Sequence, residues 1–464
     1  MPDRRPGGMA AFTVIWSGQM ISHLGTRMVN FALGIWIWQE TNRAVDLSLM
    51  TLLAFGATVA ASPVAGTLVD RWSRRTSIVA SDIGAALAAL TALTLFVTGT
   101  ASLWPLLLVN AVTGGFLAFQ FPAYTRIITA LLIKEQYPRA NGMISMVRSV
   151  PAVIAPGVAA TLLVTTGIEG VVVIALVAYL AAITTVLLVT LPAAASAGGS
   201  SVSRFWRDSV FGFRYLWQHS GFLGLQAVLF VVGAVSAMGF VLLTPLILIS
   251  SGDSEAQLGA INSIGAIGGV LGAIVLGILK PPARRMPWVL LGILVFSLAG
   301  RLPMVGGVFA AWAVGWFISW VCVPFIEGYT QTILQVKIPP VVQGRVFAAI
   351  QAINQTALLI GFASAGPLVD YVLAPQMAPG GGLAAVFGPL LGTGDAAGMK
   401  LIFLFSALAG ALAVLFGFTA RRVRELEERI PDHDHQTAQE PEPETTRKEE
   451  REDDVRTAVP GDRQ

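Results

Sequence analysis

The sequence predicts an all-α membrane protein with twelve transmembrane helices in two pseudo-symmetric six-helix bundles. Three observations predict it. Apolar stretches of about 20 residues, long enough to cross a bilayer as helix, recur almost to the end of the 464-residue chain. Lys and Arg gather in alternate loops between those stretches. One central polar segment leaves six stretches on either side of it. Composition agrees, with 55% hydrophobic and 12% charged residues against about 25% charged in a soluble protein.

The spans are placed at 12–38, 48–69, 77–98, 104–130, 140–164, 171–191, 222–249, 258–279, 287–304, 308–335, 345–370 and 399–420. They are read as helices because unpaired backbone cannot face lipid. Span 1 is read as retained: Met1–Gly8 is too short and polar for a cleaved leader, and the apolar run after it is longer than a leader's. Span 9 is interrupted by Arg301 and Pro303.

Positive charge marks the cytoplasmic side. Arg4, Arg5, Arg71, Arg74, Arg75, Lys134, Arg139, Arg204, Arg207, Arg214, Lys280, Arg284, Arg285, Lys337, Arg345, Arg421, Arg422 and Arg424 fall on one side. Arg43, Lys400 and Arg301 fall on the other. Both termini are therefore expected in the cytoplasm.

Four segments follow: a bundle at 1–191, a cytoplasmic linker at 192–220, a second bundle at 221–424 and an acidic tail at 425–464. Ala193–Ser203 is Gly/Ser-rich linker, and Arg204–His219 interleaves Phe205, Trp206, Phe213, Tyr215 and Trp217 with arginines, which predicts an interfacial helix. The tail holds fourteen acids against six Lys/Arg and is expected to be disordered, after a short solvated helix that Pro431 ends. The basic pI therefore belongs to the membrane body and gives no reason to expect a nucleic-acid partner. Cys322 is a lone cysteine, so no internal disulfide forms, and it is read as a small core residue.

The halves repeat weakly. Ile133-Lys134 matches Val336-Lys337 at a shift of 203; at a shift of 211 Gly66 matches Gly277 and Arg74-Arg75 falls on Arg285-Met286, one residue past the Arg284-Arg285 pair, while Asp70 falls on Pro281. Two parallel six-span repeats are a transporter design.

The sharpest local signal is Gly66-x-x-x-Asp70-Arg71-x-x-Arg74-Arg75, between spans 2 and 3. With the span count and the linker, it resembles the hallmark loop of the major facilitator superfamily. It departs at Ser73, where many members have glycine. The chain is similar, more narrowly, to the macrolide-efflux and enterobactin-exporter branch. Gly18-Gln19-x-Ile21-Ser22-x-Leu24-Gly25, Asp82, Ala140-Asn141-Gly142, Gln343-Gly344-Arg345 and Gly366-Pro367-Leu368-Val369-Asp370 carry that likeness. The resemblance implies rocking bundles, a pathway lined by spans 1, 4, 7 and 10, and efflux. It also implies that Asp70 faces the start of span 11 near Gly344 and Arg345. There it would close the cytoplasmic side. Ala155-Pro156-Gly157 is similar to a drug-antiporter signature, with Pro156 and Gly157 as a helix kink.

Polar groups inside spans usually face a cavity or a partner. Gln19, His23, Arg27 and Asn30 share one face of span 1, spaced for a polar cavity wall. Span 4 offers Asn110, Thr113, Gln120 and Tyr124, with Arg126 slightly off their face. Span 10 offers Glu327, Gln331 and Gln335 at successive turns, and Glu327 is the proton-coupling candidate. A fixed ion pair of Glu327 with Arg126 or Arg27 is the competing reading. Asp82 and Arg148 are expected to pair as a cytoplasmic lock. Trp36, Trp38, Phe116, Phe119, Phe121, Met238, Trp316 and Trp320 suit a bulky apolar ligand, with at least half expected to face lipid.

The reading is a monomeric secondary carrier in the plasma membrane, without cofactor or metal. It exports an amphipathic or hydrophobic compound against proton inflow. Export of a specific metabolite such as a siderophore, favoured by the arginines, is the alternative cargo; uptake by symport is the alternative direction. A non-transporting sensor is the alternative class. No nucleotide-binding loop of the Gly-x-x-x-x-Gly-Lys-Ser/Thr type is present, and nothing points to an enzyme.

Overall fold

The computed structural model describes residues 8–120, 123, 127, 131–133, 136–189, 211–280 and 282–430. Within these, the side chains of Gly66, Thr67, Asp70, Arg71, Arg74, Pro138, Asn141 and Arg148 are outside the description.

The helices are α1 (Gly8–Thr41), α2 (Ala44–Arg71), α3 (Arg74–Val97) and α4, whose first stretch is Leu103–Leu117. A continuous stretch, Tyr137–Leu188, holds α5 and α6; Gly167, at φ 70°, breaks it into two limbs. Only glycine takes that conformation at little cost, and so one apolar run turns back on itself. Next come α7 (Ser220–Ser251), α8 (Glu255–Ile278), α9 (Met286–Val295), α10 (Phe309–Lys337), α11 (Pro340–Leu368) and α12 (Asp395–Thr419).

Three departures from the predicted spans are local. A π turn, Phe296–Gly300, and a 3-10 turn, Leu302–Val305, end α9 where Arg301 and Pro303 interrupt its apolar run. A second π turn, Val369–Leu373, ends α11 and carries Asp370. The short helix Gly382–Leu391, too short to cross a bilayer, lies between α11 and α12 with Val386 and Leu390 exposed.

Ser73 explains its own departure from glycine. It is the N-cap of α3, and its Oγ accepts the Thr76 N–H at 3.1 Å. At the chain's far end, the tail predicted to begin at Glu425 instead docks its first residues. Leu426 is fully buried, and Glu427 Oε2 accepts the Arg285 and Met286 N–H groups, each at 2.7 Å. Those groups open α9, whose N-cap residue Arg285 makes no cap of its own. Residues 431–464, like most of the linker, lie outside the described residues. The linker's last part, 211–218, is helical; it buries Gly212 and Leu216 and exposes Phe213 and Trp217.

Three hydrophobic cores show how the bundles meet. The face bearing the start of α1 and the end of α12 is here the terminal face; the other is the distal face. In the distal half one core runs through both bundles, joining Leu33, Trp38 and Leu47 to Val241, Ile261 and Phe362. In the terminal half there are two. One joins Phe12, Val69, Ile78 and Val186 of the first bundle; the other joins Phe222, Leu290, Ile333 and Val414 of the second. Among the described residues, neither takes a member from the other bundle. Among the described residues, the bundles share one core in the distal half and pack separate cores in the terminal half.

Candidate functional site

Two seams make the distal closure. Along α5 and α8, a Cβ on Gly259 would lie 3.0 Å from both the Pro156 carbonyl and the Ala160 methyl. Pro156 and Gly157, predicted as a kink, therefore sit in the seam between bundles, and the helix is assigned unbroken through both. Along α2 and α11, a Cβ on Gly366 would lie 2.3 Å from the Val45 Cα. The backbones touch there because no side chain intervenes. Polar bonds rim the seams. Gln39 Nε2 donates to Glu255 Oε1 at 3.1 Å, and Arg43 Nη2 to the Tyr371 hydroxyl at 2.7 Å. Asp370 accepts the Ala44 and Val45 N–H groups at 3.2 and 2.8 Å.

The four polar residues of α1 divide. Gln19 is fully buried and donates to Asp82 Oδ2 at 2.5 Å, while Ser22 Oγ donates to Asp82 Oδ1 at 2.8 Å. Asp82 is thus held by α1; the expected pair with Arg148 falls on a side chain that lies outside the described residues. Gln19 and Ser22 are one turn apart on the α1 face that meets α3, and each serves one carboxylate oxygen. Asn30 lines a small void inside the first bundle with Asn110, Thr113 and Tyr179. His23 is half-buried, and Arg27 is exposed.

In α4, Asn110 Nδ2 donates to the Met50 carbonyl at 3.1 Å, bracing α2. Gln120 is buried, and its Oε1 has no hydrogen-bond partner among the described residues. Arg126 and Tyr124 lie outside the described residues. In α10, Glu327, Gln331 and Gln335 are all exposed, on the terminal half of the helix. Trp320 and Trp316 continue the same flank toward the distal side, with rings in edge contact at 6.3 Å. Of the eight predicted aromatic and Met lining residues, Trp38 and Trp316 are buried and the other described ones half-buried. None of these is exposed as a lipid-facing residue would be.

The loop motif is partly described. Arg75 Nη2 donates to the Val189 carbonyl at 2.6 Å, tying the end of α6 to the start of α3 within one bundle. Trp72 stacks on Phe119. The side chains of Gly66, Asp70, Arg71 and Arg74 lie outside the described residues. At the expected target, Gly344 is exposed with open space about it. The Arg345 guanidinium lies 5.3 Å from the Phe211 ring of the linker helix.

Arg301 was missed. Assigned to the outer surface by its charge, it is buried to 3% and caged by Phe296, Trp316 and Phe403 at 4.7, 5.6 and 5.8 Å. Its Nε and Nη1 have no hydrogen-bond partner among the described residues.

A family model described as Major Facilitator Superfamily matches residues 15–362. Macrolide efflux protein A of Streptococcus pyogenes is 26% identical over 372 residues, covering 78% of this chain and 90% of that protein. The Enterococcus faecalis protein of the same name is 27% identical over 323 residues, covering 67% and 97%. Among solved structures, a bacterial homolog of the human lysosomal transporter Spinster superposes with a TM-score of 0.65 at 16% identity, covering 90% of this chain and 98% of that one. At that identity the likeness is one of fold.

Proposed function

The chain belongs to the Major Facilitator Superfamily, and from that premise we propose that it is a proton-coupled exporter of amphipathic or hydrophobic organic compounds, macrolide-like in size. It is a multi-pass cell-membrane transporter of small molecules with efflux relatives; cargo, coupling and direction are the proposal. The observation that carries it is one-sided core sharing among the described residues: a single core across both bundles distally and two separate cores in the terminal half. A carrier working by alternating access needs a state closed on one side only, and this arrangement supports that reading.

The clustering of Lys and Arg supports a cytoplasmic terminal face, so this state takes cargo from inside. Glu327 stands on the exposed flank of α10, in line with Trp316 and Trp320. An acid beside an aromatic surface lets cargo and proton compete for one cavity. Gln331, Gln120, His23 and Arg27 complete the proposed wall, and Arg126 is proposed to belong to it from its place in the sequence. Asp70, meeting the start of α11 at Gly344 and Arg345, would close the cytoplasmic side in the outward-open state. The carrier is proposed to act as a monomer.

Everted membrane vesicles test this. A radiolabelled macrolide should accumulate inside them when respiration acidifies the lumen. Glu327→Gln should abolish that accumulation while leaving cargo binding intact. Accumulation only in right-side-out vesicles would reject export, and an unaltered pH dependence in Glu327→Gln would reject its coupling role.

A further inference from the structure

α2 starts abruptly. Asn42 takes a left-handed conformation at φ 50°, Arg43 follows, and the helix begins at Ala44. Arg43, as N-cap, makes no side-chain cap, so the first N–H groups need acceptors from elsewhere. They come from the other bundle. Asp370 places one oxygen on the Ala44 N–H and the other on the Val45 N–H. A carboxylate there also meets the partial positive charge of the helix start. Gly366, one turn earlier on α11, allows the approach, and the π turn Val369–Leu373 carries Asp370.

We propose that Asp370 is the latch of the distal gate: a helix cap supplied in trans, which must break each time that face opens. The proposal rests on the alternating-access reading above. It adds a reciprocity. α2 and α11 run antiparallel and have nearly equal lengths, 28 and 29 residues. Each has an acid at its end, Asp70 as the next-to-last residue of α2 and Asp370 two residues past α11, in the π turn. Each begins without a side-chain cap of its own, at Arg43 and at Pro339. Asp370 caps the start of α2 at the distal face. The reciprocal contact proposed for Asp70, from its place in the sequence, is with the start of α11 at the terminal face. Rocking the bundles makes one contact as it breaks the other, and the acid that is docked sets which face is closed.

The test uses full-length protein in proteoliposomes, with its one cysteine replaced (Cys322→Ser). Spin-label pairs are placed at Thr100 and Val308 across the distal face, and at Arg139 and Val341 across the terminal face. Asp370→Asn should shift the population toward a longer distal and shorter terminal distance by about tenfold, the scale of losing hydrogen bonds to a charged group. Asp70→Asn should shift it the other way. Asp370→Glu, which keeps the charge, should restore much of the native distribution. If wild-type distances respond to a macrolide while Asp370→Asn, still monodisperse, keeps the native distribution, the latch is overturned and alternating access stands. If no pair moves in wild type under any pH or cargo, both fall together.

Discussion

Glu427 and Asp370 do the same chemistry in two places. Each lends both of its bonds to the opening N–H groups of a helix whose own N-cap residue makes none. Glu427 reaches α9 from the end of the second bundle, so donor and acceptor move together. Asp370 reaches α2 from the opposite bundle, so they move apart whenever the distal face opens. Bond lengths alone would rank Glu427 as the stronger contact. Its position makes it a brace, and that of Asp370 makes it a latch. Contact energy sets stability; whether the contact crosses a moving boundary sets function.

The largest test of that distinction is steric. A valine at Gly366 meets the Val45 backbone at 2.3 Å across the seam, and one at Gly114 meets the Ala54 carbonyl at 2.1 Å inside the first bundle. Overpacking of this kind costs about 1–3 kcal/mol. Gly366→Val should open the distal face and cut export about tenfold or more, while Gly114→Val should lower the melting temperature and leave the distances between bundles unchanged. Equal effects of the two on the label distances would dissolve the distinction.

Glu427→Ala comes next. It removes two bonds to a charged group and the flanking Arg285 contact at 3.6 Å. Stability should fall by about 2 kcal/mol, read by thermal unfolding in detergent, with transport per folded molecule unaltered. Lys337 should keep part of the dock, since it donates to backbone carbonyls of Glu427 and Ile430 at 2.5 Å. A shift of the inward-open population in this variant would show that Glu427 is no mere brace.

Arg301 tests the opposite condition, a buried charge whose Nε and Nη1 find no hydrogen-bond partner among the described residues. Its rings return about 0.5–2 kcal/mol, while burying an ion costs several kcal/mol. Arg301→Leu should therefore unfold no more easily than the native protein, within about 1 kcal/mol. A marked loss of stability would mean that the cage outweighs desolvation.

What the sequence made legible follows the range of the forces involved. Hydropathy is summed over a whole span, so twelve helices and their faces could be read without any contact. Asp82 shows the limit: its place inside a span was legible, but finding Gln19 and Ser22 as its partners on α1 needed the packing of α1 on α3. The Glu427 cap joins residues more than a hundred positions apart and leaves no periodic trace. The helix Gly382–Leu391 has only ten residues, below the length that a span signal requires. Asp370 was visible as the last residue of a family-like motif. A polar signal was there to find its role: an acid ending α11, and an Asn-Arg turn opening α2 with no capping residue.

Ser73 supplies the smallest effect and the third kind of cap, one that spans three residues and crosses nothing. Its Oγ serves the Thr76 N–H of its own helix, so its loss should register only in local stability. Glycine is itself a tolerable N-cap: Ser73→Gly should cost a few tenths of a kcal/mol, and Ser73→Ala about 1 kcal/mol, read by hydrogen exchange in the first turn of α3. Glycine or serine then serves equally at this point of the loop, and the departure from the common motif is neutral for transport. If Ser73→Gly instead moved the label distances as Asp70→Asn is expected to, the loop's conformation as a whole, rather than its acid, would set the terminal gate.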